Sequence, residues 1–318
     1  MASDSVLVAD VRSTADAIAS MEVLGAATID DAAAAALAAQ AEASEADDPT
    51  AFREEMHAAA RRLHDTRPTA VSLPNALRFV LGDLSGETVE ELRTSVVDRA
   101  ESFRHDLERA QDRLGSIGAN RLRDGDTVMT HCHSTDAVAC VEHAVADGKS
   151  IRAIVKETRP RNQGHITARQ LTEMGVPVTL IVDNAAHRYL NDADHVLVGA
   201  DSIAADGSVV NKIGTSGLAV SARDRGVPIT VAAQTIKLDP STLAGHAVEI
   251  ENRDESEVID PAGREELGDV EVANPAFDVT PPRYVDAIVT ERGQFPPESI
   301  VVLMRELFGE RPGEPWRE

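Results

Sequence analysis

Apolar residues recur at three- and four-residue spacing through the first third of the chain. From about Arg123 they gather instead into short β-branched runs. The first pattern predicts helices over 13–26, 30–43, 50–63, 72–81 and 86–114. The stretch DDAAAAALAAQAEASEA has little apolar bulk, but alanine is the strongest helix former, and Asp30 and Asp31 stand where caps would. SIGANR, Ser116 to Arg121, has Gly118 within it and Gly115 just before it, and predicts a joint between a helical domain, 1–118, and a second domain, 119–318. In that second part DTVMTH, IRAIVKE, PVTLIVD, HVLVGAD, PITVAAQ and YVDAIVT predict strands. HITARQLTEMG and SGLAVSARDRG predict helices between them. Such alternation predicts an α/β fold whose mainly parallel sheet is covered on both faces. The polar segment GHAVEIENRDESEVIDPAGREELGD predicts an excursion at its rim.

Charge narrows the partners. The net charge is −23, from 31 basic and 54 acidic residues. A field of that sign repels nucleic-acid backbones. Only Lys149, Lys156, Lys212 and Lys237 are lysines; every other basic residue is arginine. An acidic surface nearly stripped of lysine suggests a protein of a high-salt cytoplasm. A lysine retained in such a chain is a candidate for a specific role. No apolar run reaches membrane-spanning length, and MASDSVLVADVRS lacks the basic start and apolar core of a secretory signal. The two cysteines, Cys132 and Cys140, fall on one predicted turn–helix unit, which fits unpaired thiols in a reducing cytoplasm.

The chemistry-bearing residues cluster just after predicted strands, where parallel sheets bind ligands. THCHS, Thr130 to Ser134, sets Cys132 above a predicted helix start. There the helix dipole and free N–H groups favour anions and lower a thiol pKa. The same segment also reads as a small buried cysteine between two turn histidines. ETRPRNQG places Arg159 and Arg161 after a strand, suited to a phosphate or carboxylate, or else to a solvated loop. GADSI ends a buried run with Asp201, where desolvation would raise the carboxyl pKa and hold a proton; the alternative is a turn cap. NKIGTSG opens a helix with small residues, so its N–H groups and Lys212 could hold an anion; the alternative is an ordinary glycine-containing helix start. Lys237 in AAQTIKLDP follows another buried strand. A metal site is disfavoured, because His131 and Cys132 would diverge and no second Cys/His cluster appears.

MEVLGAATI, RPTAVSLPNA, MTHCHS, ETRPRNQG, GADSI, NKIGT, AAQTIKLDP and NPAFDVTPP follow one another along nearly the whole chain. In that order they resemble the family of eukaryotic initiation factor 2B alpha/beta/delta-like proteins, which includes sugar-phosphate isomerases related to methylthioribose-1-phosphate isomerase. The resemblance implies a helical N-terminal domain followed by a Rossmann-like domain, and a homo-oligomer built on dimers. It implies isomerisation of ribose 1,5-bisphosphate to ribulose 1,5-bisphosphate in AMP degradation, with a nucleotide such as AMP as activator and no cofactor or metal. Isomerisation of methylthioribose 1-phosphate and a non-catalytic, nucleotide-sensing role are its alternatives. Matched residue by residue, Cys132 and Asp201 are catalytic. Gly25, Ala26, Ala27, Arg67, Ser134, Thr135, Asp136, Asn211, Lys212 and Lys237 contact substrate. Leu24 departs from the pattern, standing where the family usually has arginine.

The residue types suit that reaction. A phosphate on O1 locks the sugar as a furanose, so an acid must protonate the ring oxygen before hydrogen leaves C2 for C1. A protonated Asp201 and a Cys132 thiolate would divide the two tasks. A hydride shift from C2 to C1 is the other route to the same product.

Overall fold

The computed structural model describes residues 6–20, 22, 25–68, 70–82, 84–246, 250–309, 313, 314 and 316. They form two compact units: the described residues of Met1–Ala110 and Arg311–Glu318, and those of Gln111–Glu310.

The first unit is helical: α1 (Ala9–Ala19), α2 (Ala26–Ala43), α3 (Pro49–His64), α4 (Ser72–Leu81) and the start of α5 (Val89–Ala119). Its core gathers the apolar stripes of these helices, among them Ile18, Leu37, Phe52, Met56 and Leu77. Trp316, near the C-terminus, is fully buried with this unit, its ring 5.9 Å from the Arg78 guanidinium carbon. Helix α2 begins four residues before the predicted cap. Asp30 lies inside the helix, fully buried, where its carboxylate accepts the Ser72 hydroxyl at 3.0 Å. Gly25 is the true N-cap, at φ +90°, a conformation in which a side chain would be strained.

The second unit is an α/β layer structure. In chain order it holds β1 (Thr127–Thr130), α6 (Thr135–Ala146), β2 (Arg152–Lys156), α7 (Gly164–Glu173), β3 (Val178–Ile181), α8 (Ala186–Tyr189), β4 (His195–Val198), β5 (Ser202–Ile203) and β6 (Val209–Lys212). These are followed by α9 (Thr215–Arg225), β7 (Ile229–Ala232), α10 (Pro261–Leu267), β8 (Phe277–Thr280), β9 (Ala287–Thr290), β10 (Gly293–Phe295) and α11 (Ile300–Phe308). Seven strands form one sheet in the order β10-β9-β7-β4-β1-β2-β3, parallel except for β10. Strands β1, β4, β7 and β9 are buried along their length, because each is covered on both faces. The α/β class and the mainly parallel sheet match the sequence expectation.

Two features of this unit differ from that expectation. SIGANR is no joint, since α5 runs on to Ala119. Gly118 and the preceding Gly115 serve close packing: a Cβ on Gly118 would lie 2.2 Å from Cys140 Sγ on α6, and one on Gly115 2.5 Å from His143 Cδ2. The second feature is a small antiparallel sheet, β5-β6-β8, that the strand pattern did not reveal. It pairs Asn211 with Asp278 and Lys212 with Phe277.

Candidate functional site

Chain order along the large sheet reverses at β1. Strands β2 and β3 are added on one side of it, and β4, β7 and β9 on the other. The loops leaving β1 and β4 therefore meet at the switch point of the sheet, beyond the C-terminal ends of the strands, where doubly wound sheets take their ligands. The first loop carries Cys132 and the second Asp201. They approach closely at Gly199, where a Cβ would lie 2.3 Å from the Ser134 hydroxyl.

Cys132 sits at φ +67°, and Thr158, on the neighbouring loop after β2, at φ +65°. Left-handed backbone is uncommon for cysteine and an outlier for a β-branched residue. Each such residue stores about 1–3 kcal/mol that its surroundings must offset. The two are bonded together: the Cys132 amide donates to Thr158 Oγ1 at 2.8 Å, and Thr167 Oγ1 donates to the Cys132 carbonyl at 2.9 Å. Asp183 holds the Thr158 loop by accepting the amides of Thr158 and Arg159 at 3.0 and 2.7 Å. The histidines support this frame. His131 Nε2 donates to the Ile213 carbonyl at 2.8 Å, with Nδ1 3.2 Å from Thr158 Oγ1. Burial, and then the nearby Lys156 ammonium, lower its pKa to about 4, so the ring is neutral. His133 Nδ1 lies 3.1 Å from Thr167 Oγ1, and burial lowers its pKa as well.

The thiol is not the low-pKa group expected from its place before α6. Cys132 is buried, and burial pushes its pKa up to about 11. Asp201 raises it further. The His133 amide, Lys212 and Arg253 pull it down without overcoming the loss of water. Helix α6 is also capped from within, since Ser134 Oγ accepts the Ala137 amide at 3.2 Å. Asp201 is exposed, so it is not the buried carboxyl that the sequence predicted. The rate of Cys132 alkylation by iodoacetamide should therefore climb about tenfold per pH unit between pH 7 and 10, following the thiolate fraction. A plateau near pH 7 would contradict the raised pKa.

The other expected residues divide. Asn211 and Lys212 close β6 and are both buried. Asn211 Nδ2 donates to Thr215 Oγ1 at 3.1 Å. Lys212 Nζ lies 4.9 Å from the centre of the Phe277 ring, its cross-strand partner, and among the described residues it enters no salt bridge. Asp136 is fully buried and holds Lys237 Nζ at 2.9 Å and Gln234 Nε2 at 2.9 Å, so Lys237 already has a carboxylate partner. Thr135 is exposed at the first turn of α6. The start of α9, expected as an anion cradle, is filled by the protein itself: Asp278 accepts the Gly214 and Ser216 amides at 2.7 and 3.0 Å. Arg161 pairs with Glu257, while Arg159 is exposed.

In the helical unit, Gly25 provides no side-chain cap, which leaves the first amides of α2, including those of Ala26 and Ala27, without one. Arg67 is half-buried in the turn before α4, with its amide bonded to the His64 carbonyl at 3.1 Å. Leu24 lies outside the described residues.

Arg253 went unnoticed in the sequence. It belongs to the polar excursion, and its guanidinium carbon lies 5.6 Å from the centre of the same Phe277 ring. The signal lay in NPAFDVTPP, whose Phe277 organises both cations. The result is a thiol and a carboxyl group, Cys132 and Asp201, beside a concentration of positive charge in a strongly acidic protein. That arrangement suits proton transfer on an anionic substrate.

The profile of the Initiation factor 2 subunit family matches residues 22–297. A Haloferax volcanii protein named ribose 1,5-bisphosphate isomerase is 71% identical over 309 residues, 97% of this chain and 96% of its own. A Haloterrigena turkmenica protein of the same name is 70% identical over 314 residues, covering 96% of each chain. Among solved structures, the Pyrococcus horikoshii translation initiation factor eIF-2B superposes with TM-score 0.79 at 30% identity, over 93% of this chain and 100% of that one.

Proposed function

The chain belongs to the initiation factor 2 subunit family, and we propose that it converts ribose 1,5-bisphosphate to ribulose 1,5-bisphosphate in the Cys132–Asp201 crevice. It is an intramolecular isomerase of sugar phosphates, like the relatives with which it shares more than two thirds of its residues. The observation that carries the substrate reading is Lys212. A buried ammonium that makes no salt bridge among the described residues is costly unless an anion arrives to meet it. Burial already lowers its pKa, and Arg253 lowers it further. A phosphate next to it would relieve both effects.

The protonation pattern sets the order of steps. The resting thiol keeps its proton, so in this reading the proton passes from Cys132 to Asp201 once bound substrate covers the exposed carboxylate and strips it of water, which raises its proton affinity. One transfer produces the base and the acid together. Asp201 then protonates the ring oxygen as the C1–O bond breaks. The Cys132 thiolate removes the C2 proton, and the electrons of that C–H bond form the C1=C2 double bond of an enol phosphate. Asp201 next takes the proton from the C2 hydroxyl while Cys132 returns its proton to C1. This yields the ketone and, after back-transfer, the starting protonation state. Lys212 stabilises the transient thiolate, since its charge lowers the thiol pKa.

The family resemblance supports a place in AMP degradation, an activating nucleotide such as AMP, and a homo-oligomer built on dimers. It also supports substrate contacts for Gly25, Ala26, Ala27, Arg67, Ser134, Thr135, Asp136, Asn211 and Lys237. Among the described residues no helix is long and apolar enough to cross a membrane. Lys212→Met tests the substrate reading. A charge-assisted contact is worth about 1.5–3 kcal/mol, so KM for ribose 1,5-bisphosphate should rise roughly 10- to 100-fold. An unchanged KM would remove Lys212 from the phosphate site.

A further inference from the structure

We infer that Arg253, carried on a strap formed by residues 251–257, binds the 5-phosphate of the substrate and sets the preference for a bisphosphate over a monophosphate. The inference rests on the proposed reaction and assigns it a specificity residue. The strap is built onto the site. The Arg253 amide donates to the Asn274 carbonyl at 2.9 Å, and the Ala276 amide to the Glu251 carbonyl at 2.8 Å, which sets the strap beside the segment entering β8. Asn274 Nδ2 donates to the Asp254 carbonyl at 3.0 Å. At the far end Glu257 accepts from Arg161, on the loop after β2. The strap is thereby tied to the elements that flank Cys132.

Phe277 gives the geometry. Lys212 Nζ and the Arg253 guanidinium carbon lie 4.9 and 5.6 Å from the centre of one ring, within the range of cation–π attraction. Lys212 ends strand β6 close to Cys132 and Asp201. Arg253 comes from the polar excursion and reaches the same ring. Two cations thus converge on one aromatic ring, and the inference sets Lys212 toward the reacting carbons and Arg253 toward the far phosphate. The electrostatic influences on Cys132 follow the same order, with Lys212 ahead of Arg253. Arg253 is largely buried and held by Glu251, its Nε 3.2 Å from Oε1, so its planar fork is pre-oriented for an incoming phosphate.

The test compares kcat/KM for ribose 1,5-bisphosphate with that for 5-deoxyribose 1-phosphate, in wild type, Arg253→Gln and Arg253→Lys. Where the monophosphate is not turned over, its inhibition constant against the bisphosphate replaces kcat/KM. The bisphosphate-to-monophosphate ratio should fall 10- to 100-fold in Arg253→Gln, chiefly through KM, and by less in Arg253→Lys, which keeps the charge but loses the fork. Arg253→Lys also keeps the test decisive if Arg253→Gln does not fold. Equal losses on both substrates would overturn the inference, placing Arg253 on the 1-phosphate or in the fold, and so would an unchanged ratio. Failure of the wild type to turn over ribose 1,5-bisphosphate is a separate result, which would overturn the proposed reaction and the inference with it.

Discussion

Replacing Cys132 by serine is expected to lower kcat for ribose 1,5-bisphosphate by about 10²–10⁴-fold, the usual contribution of one general acid–base group. Serine is close to cysteine in size, so the left-handed turn and the bond from its amide to Thr158 should persist. The hydroxyl has no accessible anion with which to take the C2 proton, so KM should change little. Isotope tracing sharpens the test. In wild type, deuterium at C2 of the substrate should wash out at least partly into water, because a thiol carries it between carbons. Complete retention at C1 would indicate a hydride shift and remove Cys132 as the carrier. Cys140→Ser is the control. Cys140 is fully buried, with its Sγ 3.2 Å from the Asp136 carbonyl within α6, and its replacement is expected to leave kcat nearly unchanged.

Asp201→Asn should lower kcat by a similar factor, about 10²–10⁴-fold, since the amide cannot deliver a proton to the ring oxygen. Asp201 is exposed, and the bond from its backbone amide to the Val210 carbonyl, 2.8 Å, does not involve the side chain. A second readout separates loss of an acid from structural damage. Asp201 raises the Cys132 pKa, so removing its charge should lower that pKa and speed alkylation at fixed pH. A variant with near-normal turnover, or with slower alkylation, would contradict the pairing of the two groups.

The strands and the residues at their ends were legible because both rest on local pattern. A β-branched run followed by THCHS or GADSI marks a strand end whatever the rest of the chain does. The composition was similarly direct, for an acidic, lysine-poor surface agrees with relatives from Haloferax and Haloterrigena. What the sequence hid depends on distant partners. The start of α9 looked like an open anion site, but the carboxylate of Asp278, more than sixty residues later, fills it. Burial reversed the expected direction of the Cys132 pKa, and Asp201 is exposed where burial was expected; neither is a property of a short segment. Arg253 read as part of a polar excursion, because only the pairing of β6 with β8 brings Lys212 onto Phe277 and reveals a second cation there. Gly115 and Gly118 had the composition of a hinge, yet they permit helix α6 to approach α5.

The central claim is the reaction itself. The most direct measurement incubates the purified protein separately with ribose 1,5-bisphosphate and methylthioribose 1-phosphate, with and without AMP, and identifies the products by nuclear magnetic resonance. The account predicts ribulose 1,5-bisphosphate from the first substrate, with kcat/KM at least tenfold above that for the second, as expected when a charge-assisted phosphate contact of roughly 1.5 kcal/mol or more is lost. Conversion of methylthioribose 1-phosphate at an equal or higher kcat/KM, or no product from either sugar, would contradict it.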